Sequence, residues 1–153
     1  MLESPFCLPV TKKKLFKNCR IFDGINETLL EGKDLLVEGN TIAKIADTGT
    51  IAVPEESGVG SSDDWLVLEC ENRILMPGLI DCHWHTVFAE VDFTKMITND
   101  FQYMSAIAVE SNKKCLLRGF TTVRDTGANC YGIKKATDEG IIDGPRIYPC
   151  GSK

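Results

Sequence analysis

Apolar and polar residues alternate in short runs over the first 72 residues, a pattern typical of β-strands. The strands predicted from these runs cover residues 15–22, 33–37, 41–45 and 65–70. The Glu-Gly-Asn link at residues 38–40 predicts a hairpin between the second and third strands. Residues 1–14 carry two prolines and three lysines and are predicted to be a frayed leader, and residues 53–64 an exposed loop. Short strands joined by polar turns predict a small antiparallel sheet or sandwich.

The pattern changes beyond residue 72. An apolar run over residues 74–80 predicts one buried strand, and residues 86–100 are expected to be a connection. Further along the chain, the predicted elements are a helix over 101–117, a strand over 121–124, a helix over 129–139 and a strand from 147. This alternation predicts an α/β unit with a parallel sheet.

Several side chains of this second part are predicted to be buried. One face of the longer helix is predicted to carry its apolar residues, which are Phe101, Met104, Ile107, Ala108, Cys115 and Leu116. Cys82 and Cys150 are expected to be buried on strands as small apolar residues. Tyr148 is expected to pack rather than to act in chemistry.

Composition and charge narrow the range of functions. The chain has 153 residues, 43% of them hydrophobic, and a net charge of −5, which provides no basic surface for nucleic acid or for an anionic membrane. No apolar stretch approaches the roughly 20 residues that span a bilayer. The seven cysteines include no Cys-x-x-Cys pair and favour a reduced, cytoplasmic protein.

The chemistry-bearing residues lie at the end of the apolar run. His83 and His85 are the only two histidines of the chain. Residues two apart on a strand point to the same face, so both imidazoles are expected to project together, with Asp81 on their side and Trp84 on the other. Two converging imidazoles form half of a divalent-metal site, and neutral imidazole suits zinc.

These residues also have explanations that involve no function. A His-x-His pair is common by chance. Arg124 and Asp125, at the end of the next strand, could reach the same site, although an ion pair or a helix cap is the more ordinary role for such residues.

A longer motif surrounds the histidines. Residues 77–85 resemble the Pro-Gly-x-Ile-Asp-x-His-x-His motif of the amidohydrolase superfamily of metal-dependent hydrolases. Residues 116–127 and 144–146 are similar to further segments of its imidazolonepropionase-like and prolidase-like branch. The resemblance extends from about residue 15 to the end of the chain.

The resemblance implies a fold and a reaction. Family members fold as a (β/α)8 TIM-type barrel with a small β-sandwich, so residues 1–72 would be the N-terminal β-sandwich portion and residues 73–153 the first strands and helices of the barrel. His83 and His85 would bind a divalent metal, zinc by preference, with one or two ions in the intact enzyme, and Asp81 would support them from outside the ligand set. The implied reaction is hydrolysis of a carbon–nitrogen bond in a small amide, cyclic amide or dipeptide-like substrate. The resemblance also allows the intact enzyme to be a homo-oligomer.

The length of the chain conflicts with a complete barrel, which needs roughly 200 to 250 residues. The family's other site residues are a lysine on strand four, histidines on strands five and six and an aspartate on strand eight, and none is matched here. We therefore expect a fragment, a split product or a truncated product, with no catalytic residue within this chain and no activity when it is isolated. The alternative is a non-catalytic structural or interaction module that retains half of the metal site.

Overall fold

The computed structural model describes residues 13–53, 65–88, 92–127 and 129–151. The chain divides into two compact units, residues 1–77 and residues 78–153. Most of the predicted leader and the predicted loop at 54–64 lie outside the described residues. The division of the chain into a sandwich portion and a barrel portion at residue 72 stays a prediction. In the part of the chain that the structure describes, no helix is long and apolar enough to cross a membrane.

The first unit contains one five-stranded sheet. Its strands are β1 (Lys13–Ile21), β2 (Leu30–Glu38), β3 (Thr41–Asp47), β4 (Trp65–Glu69) and β5 (Ile74–Leu75). They are ordered β3-β2-β1-β4, and β5 also pairs with β1. β1 is antiparallel to β2, as β2 is to β3, whereas β4 and β5 run parallel to β1. The sheet is therefore mixed, and the prediction of an antiparallel sheet is wrong for β4 and β5. The four strands predicted from alternation are confirmed, although β1 begins at Lys13, inside the predicted leader.

The predicted hairpin between β2 and β3 is also confirmed. Glu38 pairs with Thr41, which leaves a two-residue turn. Gly39 opens this turn with a φ of 59°, a conformation that glycine adopts without steric cost.

β1 contains an irregularity held by a buried carboxylate. Three steps along β1, from Phe16 to Cys19, face only two along β2, from Leu35 to Lys33. The displaced residue Asn18 has a φ of 54°. Its N–H donates to Asp34 Oδ1 at 2.8 Å, and Asp34 Oδ2 accepts the N–H of Gly49 at 2.9 Å. Asp34 is fully buried, so it satisfies two backbone donors that the sheet leaves unpaired.

Apolar side chains cover both faces of this sheet. Leu36 packs with Leu15 and Trp65, whereas its neighbour Leu35 packs with Cys19 and Ile21. Neighbouring residues of a strand point to opposite faces. The first unit therefore has two small apolar clusters separated by the sheet.

The predicted buried strand over residues 74–80 is wrong in two respects. It is two strands: β5 pairs with β1 in the first sheet, and β6 (Leu79–Trp84) belongs to the second unit. Ile74 and Ile80 are 50% and 64% exposed, so neither is buried. Pro77 lies between the two strands, and because proline has no N–H to donate, the ladder does not run through it.

The second unit consists of a three-stranded parallel sheet and its helices. Its elements are β6, α1 (Phe93–Thr98), α2 (Phe101–Leu117), β7 (Phe120–Asp125), α3 (Tyr131–Asp138) and β8 (Arg146–Pro149). The strand order is β6-β7-β8, and both pairs are parallel, as the alternation of elements predicts. Helix α2 has the predicted bounds. The sequence predicts a connection where helix α1 lies. The helix begins at Phe93, after the N-cap residue Asp92, whose carboxylate accepts the N–H of Thr94 at 2.9 Å.

The core of this unit forms where helices cover the sheet. Cys115, Val123, Cys130 and Ile147 make one buried cluster, against which Trp84 packs. Helix α2 buries Met104, Ala108, Asn112 and Cys115. Asn112 has no signal in an apolar periodicity and was missed.

Four of the predicted buried positions are exposed. Phe101 is 85% exposed. The prediction failed because periodicity predicts the angular face of a helix but not how far along the helix axis the strands cover that face. Phe101 lies about 21 Å along α2 from Cys115, at the usual rise of 1.5 Å per residue. Cys82 lies in an irregular part of β6, Cys150 follows the last residue of β8, and both are exposed. Tyr148 is 55% exposed.

Gly78 permits close approach between the start of β6 and β7. A Cβ at this position would overlap the side chain of Thr121. The motif glycine is therefore required by packing inside the second unit.

We expect Gly78→Ala to destabilise the second unit by about 1–3 kcal/mol, the usual cost of overpacking. Thr121→Gly in the same chain removes the overlapping atoms and should recover part of that loss. Urea unfolding of both single variants and of the double variant measures the coupling. Strictly additive losses would show that the two positions do not meet.

Candidate metal centre

The candidate site lies at one edge of the parallel sheet. β6, β7 and β8 end at Trp84, Asp125 and Pro149, and parallel strands bring these ends to the same edge. His83 lies one residue before the end of β6, and His85 one residue after it. The site is therefore at the carboxyl edge, where open and closed α/β sheets bind their ligands.

The two imidazole rings are neighbours. Their centroids are 5.3 Å apart, and the ring planes are inclined by 76°. His83 is exposed and His85 is half-buried. The structure thus brings together the two side chains that strand parity predicts to project together. Their role as metal ligands stays a prediction.

β6 is not a regular strand where it carries the first histidine. Asp81 aligns with Val123 and Trp84 with Asp125, so three steps along β6 face two along β7. This bulge places one extra residue between Asp81 and Trp84. Bulges bend a strand and re-aim its side chains, and they are common beside active sites.

Two side chains satisfy the backbone groups of the bulge. The N–H of His83 donates to Asp81 Oδ1 at 2.9 Å, and Arg124 Nε donates to the carbonyl oxygen of Cys82 at 2.9 Å. Arg124 thus acts on the neighbouring strand's backbone, a role not among those weighed from the sequence.

The bulge also changes the position expected for Asp81. Simple alternation placed Asp81 on the face of the histidines, and that inference does not hold across an extra residue. Asp81 aligns instead with the buried Val123. The pKa of the Cys115 thiol on α2 is raised, first by the burial of that thiol and second by the negative charge of Asp81. Its observed link to the site is the hydrogen bond to the backbone of His83.

His85 lies against the segment that follows β7. A Cβ added to Gly127 would be 3.2 Å from Nδ1 of His85 and 3.3 Å from Cε1. Nδ1 is buried and has no hydrogen-bond partner among the described residues. A buried imidazole nitrogen without a partner is the kind of group that a metal ion or a hydrogen-bond donor would satisfy, so His85 fits a ligand role.

A buried carboxylate lies behind this histidine. Asp125 is fully buried, its Oδ2 accepts the N–H of Thr86 at 2.6 Å, and its Oδ1 accepts the N–H of Gly127 at 2.9 Å. Sequence reasoning offered it an ion pair or a helix cap and missed both contacts. The signal that could have found it is an aspartate at the end of a strand, followed two residues later by a glycine.

The buried thiol of Cys130 lies near the same carboxylate. Burial, together with the negative charge of Asp125, raises the pKa of this thiol from 9.0 to about 11. Cys130 is therefore a neutral thiol at physiological pH.

The described residues supply only two of the ligands that a metal needs. No group of three or more histidine, cysteine or acidic side chains converges in the part of the chain that the structure describes. The residues present fit one half of a metal site.

The fold and this edge define an α/β protein whose parallel sheet presents a histidine pair at its carboxyl end. The chain belongs to the amidohydrolase family: the sequence model of that family matches residues 74–152, just over half of the 153 residues. The resemblance inferred from the motif around His83 is confirmed at this level.

Two curated relatives illustrate the range of the family. The chain is 30% identical to ochratoxinase of Aspergillus niger over 82 residues, which make up 52% of this chain and 17% of that protein. It is 40% identical to a 5'-deoxyadenosine deaminase of Methanococcus maripaludis over 63 residues, 40% of this chain and 13% of that protein. The matched segment thus spans less than a fifth of either relative.

Solved structures cover more of the chain. An amidohydrolase crystal structure matches 90% of this chain with a TM-score of 0.75 and 31% identity. A prolidase complexed with N-methylphosphonate-L-proline matches 92% with a TM-score of 0.78; at 24% identity it shows the fold alone. This chain covers 31% and 32% of those two chains.

Gly127→Ala tests whether the space beside His85 matters. The new methyl group would press on the imidazole, so we expect weaker Zn²⁺ binding with a loss of stability of about 1 kcal/mol, at the lower end of the range for overpacking. Gly132→Ala is the matched control, because a Cβ there meets nothing within 4 Å and lies in helix α3. The control should bind Zn²⁺ as the parent does and gain up to about 1 kcal/mol. Equal Zn²⁺ affinity in both variants would contradict the close approach.

The raised pKa of Cys130 predicts alkaline destabilisation of the second unit. The folded state holds the thiol proton up to about pH 11, whereas the unfolded chain loses it near pH 9.0, so the contribution is complete below pH 9 and is lost as the pH rises towards 11. Urea unfolding between pH 8 and pH 11 should show a falling free energy of unfolding. Cys130→Ala should reduce this slope and Cys150→Ala, at an exposed position, should not. Identical slopes in both variants would contradict the assignment.

Proposed function

We propose that this chain carries the first metal-binding segment of a metal-dependent hydrolase that acts on carbon–nitrogen bonds. One observation carries the proposal: two imidazole rings with centroids 5.3 Å apart lie at the carboxyl edge of a parallel sheet. Family membership supports the reaction class. The proposed architecture is the N-terminal part of a (β/α)8 barrel, of which β6, β7 and β8 are the first three strands, preceded by part of a β-sandwich.

His83 and His85 are the proposed ligands, and zinc is the proposed metal. When bound, such an ion supplies Lewis-acid polarisation of a carbonyl group and activation of water. The chain's own residues aim the two imidazoles, hold the half-buried His85 beside Gly127, and keep the bulge at His83 hydrogen-bonded through Asp81 and Arg124. Asp81 is proposed as a group that supports His83 through its backbone rather than as a ligand.

The proposed substrate class is a small molecule with an amide, cyclic amide or dipeptide-like bond. The two curated relatives are named as an ochratoxinase and a 5'-deoxyadenosine deaminase, and both names refer to small molecules, which supports a small-molecule substrate. A reducing, cytoplasmic setting is part of the proposal, and the six described cysteines are all free thiols.

A second candidate is a non-catalytic module that retains half of the metal site. It is favoured by the finding that the described residues bring no third ligand to the histidine pair. Both candidates require the same half-site, and they differ in whether amide hydrolysis accompanies it.

Zinc titration of the 153-residue chain tests the half-site. We expect weak binding that does not survive dialysis, because two imidazoles leave the remaining positions of a tetrahedral ion to water. His83→Ala and His85→Ala should each lower the affinity by about tenfold or more, since even residues that only support a ligand cost 10- to 100-fold. Cys82→Ser is the control, because this exposed thiol lies between the proposed ligands.

Three outcomes would contradict the proposal. Undiminished zinc affinity in the variant that lacks both histidines would show that His83 and His85 are not the zinc ligands. Stoichiometric zinc retained through dialysis would show further ligands within the chain, and hydrolysis of amide substrates by the chain alone would exclude an inert half-site.

A further inference from the structure

Asp125 connects the two backbone segments on either side of His85. Its Oδ2 accepts the N–H of Thr86, the residue directly after His85, at 2.6 Å. Its Oδ1 accepts the N–H of Gly127 at 2.9 Å, and Gly127 is the residue that lies against the imidazole of His85. One carboxylate thereby fixes the chain behind the ring and the chain beside it.

A backbone hydrogen bond completes the connection. The N–H of Thr126 donates to the carbonyl oxygen of Trp84 at 2.9 Å. The peptide group before His85 is thus bound to the end of β7 by the main chain, and the peptide group after it by the side chain of Asp125. His85 lies beyond the last residue of β6, where these two bonds replace the ladder.

The energetic requirements of a buried carboxylate explain why this connection is rigid. Asp125 is fully buried, and a buried charge is tolerated only when hydrogen bonds replace its hydration. Bonds from backbone N–H groups to a carboxylate are stronger than neutral ones. Moving Thr86 or Gly127 away would leave the carboxylate partly unsatisfied, so both segments stay in place.

We propose that Asp125 is a positioning residue that aims the imidazole of His85. It acts through its hydrogen bonds to the backbone of residues 86 and 127. The placement of the ring follows from the structure alone, whereas the consequence for metal binding rests on the proposed function.

Asp125→Asn is the direct test, because asparagine has the same size but replaces one acceptor oxygen by an N–H donor that cannot bond a backbone N–H. We expect faster amide exchange at Thr86 or Gly127, a weaker nuclear Overhauser contact between the rings of His83 and His85, and a zinc affinity reduced by about tenfold.

Asp34→Asn is the matched control. Asp34 is also fully buried and also accepts two backbone N–H groups, from Asn18 and Gly49, in the first unit. It should lose stability in the same way while the contact between the histidine rings and the zinc affinity stay at parent values. Equal effects of the two variants on the ring contact would overturn the proposal.

Two further measurements keep the test decisive. If Asp125→Asn does not fold, the unsubstituted chain can be examined for scalar coupling between the amide nitrogens of Thr86 and Gly127 and the Asp125 carboxyl carbon; absence of both couplings overturns the proposal. If the double histidine variant binds zinc like the parent while Asp125→Asn still separates the rings, the proposed function fails and the positioning role is supported.

Discussion

The parallel pairing of β6 with β7 is the interaction on which the candidate site depends. Without it, a His-x-His sequence is a flexible tripeptide whose two rings need not converge. The pairing runs from Leu79 to Trp84 and is continued by the bond from Thr126 to the Trp84 carbonyl oxygen. A packed core on the helix side, where Trp84 contacts the Val123 cluster, prevents the strand end from rotating. The geometry of the histidines therefore depends on sheet packing as well as on their spacing along the strand.

The bulge at the end of β6 adds a second constraint. An extra residue in a parallel pair breaks the ladder and leaves backbone groups without partners, which would cost free energy in a packed sheet. Asp81 accepts the freed N–H of His83, and Arg124 donates to the freed carbonyl group of Cys82. These two hydrogen bonds stabilise the bend in the strand at the first histidine, so the bulge leaves neither of these backbone groups unpaired.

The limits of prediction from sequence follow from what each feature requires. Helix α2 and the strands of the first sheet were predictable because burial imposes a period on the sequence, and the adjacency of the histidine rings followed from strand parity. The bulge was not predictable, because one extra residue leaves the composition unchanged. Arg124, which donates to the Cys82 carbonyl group of the bulge, lies 42 residues away along the chain. The break at Pro77 had a signal, since proline cannot donate to a ladder, but the apolar residues around it suggested continuity. The exposure of Phe101 depends on how far the strands extend beneath α2, which periodicity does not encode.

The same device stabilises irregular backbone in both units. Asp34 holds the displaced Asn18 in β1, and Asp125 holds the chain on both sides of His85. A carboxylate suits this task because it only accepts hydrogen bonds, so both of its oxygens can bind backbone N–H groups without presenting a donor to another donor. By its propensity, an aspartate within or at the end of a strand is a weak strand former. When its carboxylate is buried and accepts backbone N–H groups, the same residue stabilises the strand instead. In the first unit the buried aspartate only stabilises irregular backbone. In the second unit the irregular segment carries a histidine, so the buried aspartate also determines where the imidazole points.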